Sequence, residues 1–338
     1  MDISDRFRKL PAEINDPNRQ KYSTSGVALI ESNEQRSVLL VCHDNKKEFD
    51  QPNVPSPRFG IVSLDNASLE LCYQPLEWPK KSTKLPEDLE GLSGLPLSGQ
   101  WSFLAQESSG QVFYVEINKS LETGNYIIGN AALCADNLRD ISWNKIGTKP
   151  TMQFEGFSVQ DISTESGSSQ DLLAVWAHRG DVEVPQGLIF WGALDKASKN
   201  ILCADWHEIV VDWPRPKVLK KPEPEIVYTR QISGLKVLPN GTLLIASAID
   251  PGISGPFVGA IYEAGRFFKV ADKNYRFVAY RGLELKKLYT TGNPINKEGH
   301  KIEGIEPLGD PPGKLVMVTD DENCGPSIAI VDYPPSAV

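Results

Sequence analysis

Three glutamates in this sequence stand directly before a glycine and an apolar residue: Glu90-Gly91-Leu92, Glu155-Gly156-Phe157 and Glu303-Gly304-Ile305. Two further copies of the phrase carry serine instead, Ser25-Gly26-Val27 and Ser233-Gly234-Leu235. Carboxylates in equivalent places of a repeated fold converge, and converging carboxylates repel. They persist when a cation neutralises them, when they keep protons, or when basic side chains pair with them. Carboxylate oxygens, with amide carbonyls and water, suit the hard cations Ca²⁺ and Mg²⁺. The sequence therefore predicts a divalent metal held by Glu90, Glu155 and Glu303, with Asp88 or Asp320 beside them. The alternative is that each glutamate caps backbone N–H groups or pairs with Arg230, Lys301 or Arg179. The residue pattern leaves both open, and it indicates no organic cofactor.

The remaining chemistry-bearing residues extend this picture. His43, His178 and His300 fall at predicted strand ends on the same side as the glutamates. Imidazole titrates near neutral pH, so His43 or His178, with Asp44 beside the first, are candidates for proton transfer. Arg179, Arg230 and Lys81 are candidates for holding a substrate's negative charge, Arg by its two-pronged hydrogen bonds, with His300 as a further substrate contact. Trp78 and Trp213 stand in basic, Pro-bearing connections (LEWPKKSTKLPEDLEG and VDWPRPKVLKK) and offer a stacking rim. Trp143, in ISWNKIGTKP, is the third of this kind. Each tryptophan has an alternative role as the anchor of its own loop. No Gly-x-Ser-x-Gly elbow occurs, which disfavours a serine-hydrolase triad.

These residues need a scaffold that repeats. The five phrases divide the chain into five roughly even parts, and each part runs in the same order. LEGLSGL is followed by WSFLAQES, QVFYVEI and NYIIGNAAL; ISGLKVL by TLLIASAI, VGAIYEA and RFFKVA. Short apolar or alternating runs punctuated by Gly, Ser and Asn read as strands and turns. Four antiparallel strands per repeat predict an all-β fold, a single β-propeller over residues 1–338. Its blades are expected at about 23–80, 86–135, 152–213, 230–285 and 300–333. The last blade lacks a fourth strand, which an N-terminal strand at about 6–14 would supply. FVAYRGLEL at 277–285 leaves a sixth unit open. Glycine in the phrase suits an inner strand crowded by a neighbouring backbone. Glu90 and Leu92 share strand parity, so a bulge at the glycine is needed for both to be placed well.

The phrases Asp-x-Glu-Gly-Leu, Phe-Glu-Gly-Phe and Ile-Ser-Gly-Leu, with Lys-Ile-Glu-Gly-Ile before Val-Thr-Asp-Asp-Glu-Asn, resemble the phytase-like or "esterase-like" propeller proteins. Blade by blade the chain is also similar to calcium-activated nucleotidases of the apyrase type. The resemblance implies a five-bladed propeller with a metal near its axis. It implies that Glu90, Glu155 and Glu303 are metal or active-site groups, although serine replaces glutamate at 25 and 233.

Composition narrows the partners. A net charge of -9 and a pI near 5.1 argue against nucleic acid. No apolar run reaches membrane-spanning length, and the charged N-terminus lacks the apolar core of a signal peptide. Five cysteines without a CxxC pair suggest free thiols in a reducing compartment. A cytoplasmic protein meeting a small anionic ligand, or a protein partner, is therefore expected. The expected function is metal-dependent hydrolysis of a small phosphate ester or other anionic ester. The competing expectation is a non-catalytic module that binds a small molecule, a sugar or a protein, with at most a structural metal.

Overall fold

The apolar runs are continuous where an amphipathic surface strand would alternate. In RSVLLVCH, residues 37–43 are all buried, and DLLAVWAH is buried throughout. A strand buried on both faces must sit in a sheet with a neighbour on each side. The computed structural model places it so. It describes residues 1–10, 23–45, 56–65, 68, 70–80, 82, 84–96, 101–146, 153–162, 171–180, 184–211, 228–250, 257–280, 285–292, 299–309, 311–321 and 325–334.

Five antiparallel sheets surround one axis as a five-bladed β-propeller. Blade one holds β2 (Thr24–Ser32), β3 (Arg36–His43), β4 (Phe59–Asp65) and β5 (Leu71–Leu76), after a short β1 (Arg8–Lys9). Blade two holds β6 (Leu89–Leu95), β7 (Trp101–Glu107), β8 (Val112–Lys119) and β9 (Tyr126–Ala135). A helix, α1 (Leu138–Ile146), leads to blade three: β10 (Phe154–Gln160), β11 (Asp171–His178), β12 (Gly187–Asp195) and β13 (Ile201–Ile209). Blade four holds β14 (Tyr228–Val237), β15 (Thr242–Asp250), β16 (Val258–Ala271) and β17 (Asn274–Ala279), with β18 (Lys286–Thr291) also paired to β16. Blade five holds β19 (Ile302–Leu308), β20 (Lys314–Thr319) and β21 (Ser327–Asp332), completed by β1.

Two expectations about the ring are settled here. The N-terminal strand does close it, with Arg8 opposite Ile328 and Lys9 opposite Ser327. Among the described residues there is no sixth unit: residues 277–279 end β17, which pairs with the far half of the long β16. The helix was not anticipated. It is only nine residues long and buries Leu138, Ser142 and Trp143 between blades two and three.

The core is five cores, one per blade junction. Between blades one and two, Val38, Leu40, Cys42 and Phe59 meet Leu92, Phe103, Ala105 and Val115. Between blades five and one, Val316, Val318 and Ile328 meet Val27, Leu39, Val41 and Leu10.

The recurring glycines sit where inner strands meet. A Cβ on Gly91 would lie 2.6 Å from the Phe157 nitrogen of the next blade, and one on Gly156 would lie 2.7 Å from that of Leu235. Gly234 faces the Glu303 carbonyl, Gly304 the Val27 nitrogen and Gly26 the Leu92 nitrogen, so the contacts run around the whole ring. A side chain at any of the five would push two blades apart. Each inner strand also breaks register at its phrase: Thr24/Gly26, Leu89/Gly91, Phe154/Phe157, Arg230/Gly234 and Ile302/Gly304. Ser25, Glu90, Glu155, Ser233 and Glu303 all lie within these bulges, which set their side chains apart from the alternation of the strand.

Candidate functional site

The starts of the inner strands and the ends of the second strands share one mouth of the channel. Backbone hydrogen bonds join them from blade to blade. Asp88 N–H donates to the Asn45 carbonyl, Phe154 N–H to that of Ser108 and Gln231 N–H to that of Arg179.

The bulged glutamates meet basic side chains there. Arg179 Nη1 lies 3.1 Å from Glu155 Oε1, and Arg230 Nη1 lies 3.0 Å from the same oxygen. Arg230 Nη1 also reaches Glu303 Oε1 at 3.3 Å. Lys301 Nζ is 3.2 Å from Glu303 Oε1 and 2.5 Å from Asp320 Oδ2. The result is an alternating chain, Arg179–Glu155–Arg230–Glu303–Lys301–Asp320, across blades three, four and five. The pairing expected as the alternative to a metal is therefore present at Glu155 and Glu303. The Asp320 carboxyl is held below its ordinary range: burial would raise it, but Lys301, the Ser23 hydroxyl and Arg230 outweigh that. Glu303 is pushed up, because burial and the charges of Asp320 and Glu155 outweigh Lys301 and Arg230.

Glu90 lies on the other side of the axis and differs. It is half-buried and has no basic partner among the described residues. Burial first, then Glu155, Glu303, Asp88 and Asp44, push its carboxyl well above the usual range. At the same mouth, Ser25 Oγ on blade one, both amide atoms of Gln106 on blade two, and Glu155 Oε2 on blade three are buried without hydrogen-bond partners. Gln106 is the ladder partner of Gly91, next to Glu90. Oxygen-bearing side chains thus fill all five bulge positions. Those on blades three to five are committed to ion pairs or, for Ser233, to the Ile302 carbonyl at 2.6 Å. Those on blades one to three are not fully used.

The other candidate residues are distributed as follows. Asp88 bonds the Ser108 hydroxyl at the mouth, and Asp44 is near enough to raise the Glu90 carboxyl. His43 is fully buried inside blade one, its Nδ1 3.1 Å from the Ser23 carbonyl and its Nε2 3.0 Å from the Tyr73 hydroxyl. Burial, reinforced by Arg58, lowers it to about 4 despite the Ser23 bond, so it is neutral at pH 7 and not placed to trade protons at the mouth. His178 is buried against Trp143 and accepts the Gly180 N–H at its Nδ1. Both histidines predicted to move protons are thus packing residues. Trp78 donates to the Lys84 carbonyl and packs against Phe59 and Phe113. It anchors its loop and offers no stacking rim. Trp143 plays the same part against Phe154. Lys81 and Trp213 lie outside the described residues. His300 is partly buried against Phe7 and bonds Asp321.

Among the described residues no three His, Cys, Asp or Glu side chains are gathered as chelators. The expected Glu90, Glu155 and Glu303 triad is divided, because Arg230 stands between Glu155 and Glu303. The unpartnered oxygens of Ser25, Gln106 and Glu155, with the Glu90 carboxylate, are donors of the oxygen-only kind that hard cations take. Serine at position 25 read as a departure from the phrase; it stands in the blade-one bulge, the position that glutamate takes on blades two, three and five.

No family model matches the chain, and no curated protein does. Several solved structures are similar in outline. An exo-1,5-alpha-L-arabinanase from a bovine ruminal metagenomic library is 10% identical over 93% of this chain and 94% of its own, with a TM-score of 0.45. The Dos1 propeller is 8% identical, covering 96% of this chain and 73% of its own at a TM-score of 0.33. A putative 6-phosphogluconolactonase from Bacteroides fragilis is 11% identical, covering 86% and 76% at 0.34. Likenesses this remote carry nothing about activity. Among the described residues no helix is long and apolar enough to cross a membrane.

Proposed function

We propose that the channel mouth is the active site of a hydrolase for a small phosphate ester or other small anionic ester, with a divalent cation held on the blade-one-to-three side of the axis. The observation that supports it is the uneven charge balance around the axis. Three cationic side chains neutralise the carboxylates of blades three to five, while Glu90 has no basic partner among the described residues and Ser25 Oγ, Gln106 Oε1 and Glu155 Oε2 have no hydrogen-bond partner. Glu90 and Glu155 Oε2 would hold the cation, with Ser25 Oγ and Gln106 Oε1. A bound cation of this kind polarises an ester oxygen and acidifies a water. Arg179 binds the anionic group. Its side chain is 23% exposed and spends one of five N–H donors on Glu155 among the described residues. Glu155 holds one end of the guanidinium, so binding through its remaining donors would cost less side-chain entropy.

The experiment is metal content by mass spectrometry on protein purified without chelator, melting before and after EDTA, and a panel of phosphate monoesters, anhydrides and carboxylate esters with added Ca²⁺ or Mg²⁺. A stoichiometric ion whose loss lowers the melting temperature, together with turnover that Arg179→Met weakens mainly through KM, is the expected result. A metal-free protein indifferent to EDTA would overturn the cation site. A protein that holds the ion and turns over none of the panel would instead be a binding module.

A further inference from the structure

An exposed apolar side chain standing alone is ordinary, but several on one ordered face mark a surface that meets something. Blade four carries such a face, away from the channel mouth. β16 pairs with β15 only as far as Arg266, opposite Thr242, and its last residues form a hairpin with β17 that stands beyond the blade. Burial alternates along both strands. Phe267 and Tyr275 are buried, whereas Phe268, Val270 and Val278 are 44%, 55% and 42% exposed.

The buried face is fastened to blade three. Phe267 and Phe277 pack on Trp191 with ring centroids 5.5 and 6.0 Å away. Trp191 Nε1–H donates to the Tyr275 carbonyl at 3.1 Å. Asp171 accepts from the Tyr275 hydroxyl at 2.6 Å and from Lys269 Nζ at 3.1 Å. These contacts hold the hairpin in place and use none of the three exposed apolar side chains.

The exposed face is cationic as well as apolar. Arg276 stands directly opposite Phe268, and Val278 directly opposite Arg266. Two guanidiniums therefore lie on one diagonal and two apolar side chains on the other. Arg266 is steadied by its Nε bond to the Asn240 carbonyl at 2.6 Å, and its guanidinium lies 5.3 Å from the centre of the Phe268 ring. No carboxylate shares the face, since the acid of this hairpin, Asp272, is in its turn. In a chain of net charge -9 this is a local excess of positive charge.

We propose that this hairpin face docks an extended segment of a protein partner, one that alternates carboxylates with apolar side chains. Residues two apart on a strand stand about 7 Å from each other, and an extended partner presents its own side chains at the same repeat. Carboxylates set over Arg266 and Arg276 leave apolar groups over Phe268 and Val278. The platform is already ordered, so docking immobilises little of it. Other polymers fit less well. One aromatic ring gives no platform for successive bases, and two guanidiniums fall short of the roughly 4–8 basic residues that an anionic lipid surface takes.

The probe is a fluorescein-labelled synthetic peptide that alternates glutamate with valine and phenylalanine, titrated with the full chain and read by fluorescence anisotropy. A peptide with lysine for glutamate is its control. The glutamate peptide is expected to bind, and to weaken as salt rises, while the lysine peptide does not bind. Arg276→Glu and Phe268→Ser are each expected to weaken binding by about tenfold or more. Both positions are exposed, so both variants should melt close to the parent. Leu121→Ser, at a fully exposed apolar residue between β8 and β9, should bind like the parent. Equal binding of the two peptides, or parental binding by either hairpin variant, would overturn the proposal. So would tighter binding of oligodeoxythymidine or phosphatidylserine vesicles through the same side chains, which would assign the face to nucleic acid or lipid. Self-association that the two variants abolish would assign it to a second copy of this chain.

Discussion

Adding one methyl group at Gly91 tests the ring most directly. In Gly91→Ala the new Cβ would stand 2.6 Å from the Phe157 nitrogen, 2.7 Å from its Cβ and 3.0 Å from the Gly156 carbonyl carbon. None of these is the end of a flexible side chain, so relief requires that β6 and β10 separate. Overpacking of this kind costs about 1–3 kcal/mol, and two rigid backbones place this site at the upper end, at about 3 kcal/mol. For 338 residues, an unfolding entropy of about 2.1 cal/mol/K per residue gives roughly 0.7 kcal/mol/K, so the melting temperature should fall by about 4 °C. Gly313→Ala is the control. Nothing lies within 4 Å of its added Cβ, and the loss of unfolded-state freedom should stabilise by about 0.4–1 kcal/mol, or about 1 °C. Calorimetry with urea titration reads both. If Gly91→Ala melts within a degree of the parent, or if Gly313→Ala is equally damaging, close approach of the inner strands is not what the glycines serve.

Two further predictions concern the charges. The folded state holds the Glu90 proton more tightly than the unfolded chain does, so it binds more protons above the ordinary carboxylate range, and stability must fall as pH rises through that window. Glu90→Gln should therefore melt higher than the parent at pH 8 in EDTA, with the difference gone by about pH 4; a variant that melts lower at pH 8 without metal would contradict this. Arg230→Met removes the cation shared by Glu155 and Glu303. Breaking a buried pair from one side costs about 3–5 kcal/mol, and the 15% exposure of Arg230 argues for the lower end. A fall of about 4 °C is expected, and an unchanged melting temperature would mean the chain of pairs is not formed in solution.

The architecture was legible because it repeats. Each phrase carries one glycine that a neighbouring backbone demands and one bulged residue, and such a demand recurs once per blade. Even the bulge followed from the shared parity of Glu90 and Leu92. The site was legible only in part. That Glu90, Glu155 and Glu303 converge follows from the repeat, but which would be neutralised does not. Arg230 and Lys301 reach their partners from neighbouring strands, and their reach depends on side-chain paths that no spacing encodes. The histidines misled for a related reason. His43 and His178 end buried strands, and the same position that puts a residue near the mouth also packs it against Tyr73 or Trp143. His300 precedes its strand and is only partly buried.

The pairing of β1 with β21 joins residues 320 positions apart, from Arg8 to Ile328. On a ribosome adding about 5–20 residues per second, the first partner emerges roughly 15–60 s before the second. The first four sheets can pair locally in that interval, in the order of their synthesis. The fifth sheet has to wait, because β1 stays unpaired until β21 follows it. A chain halted before residue 327 therefore loses more than its missing strand. It leaves β1 without its ladder partner. Ring closure thus depends on the later of two strands set 320 positions apart.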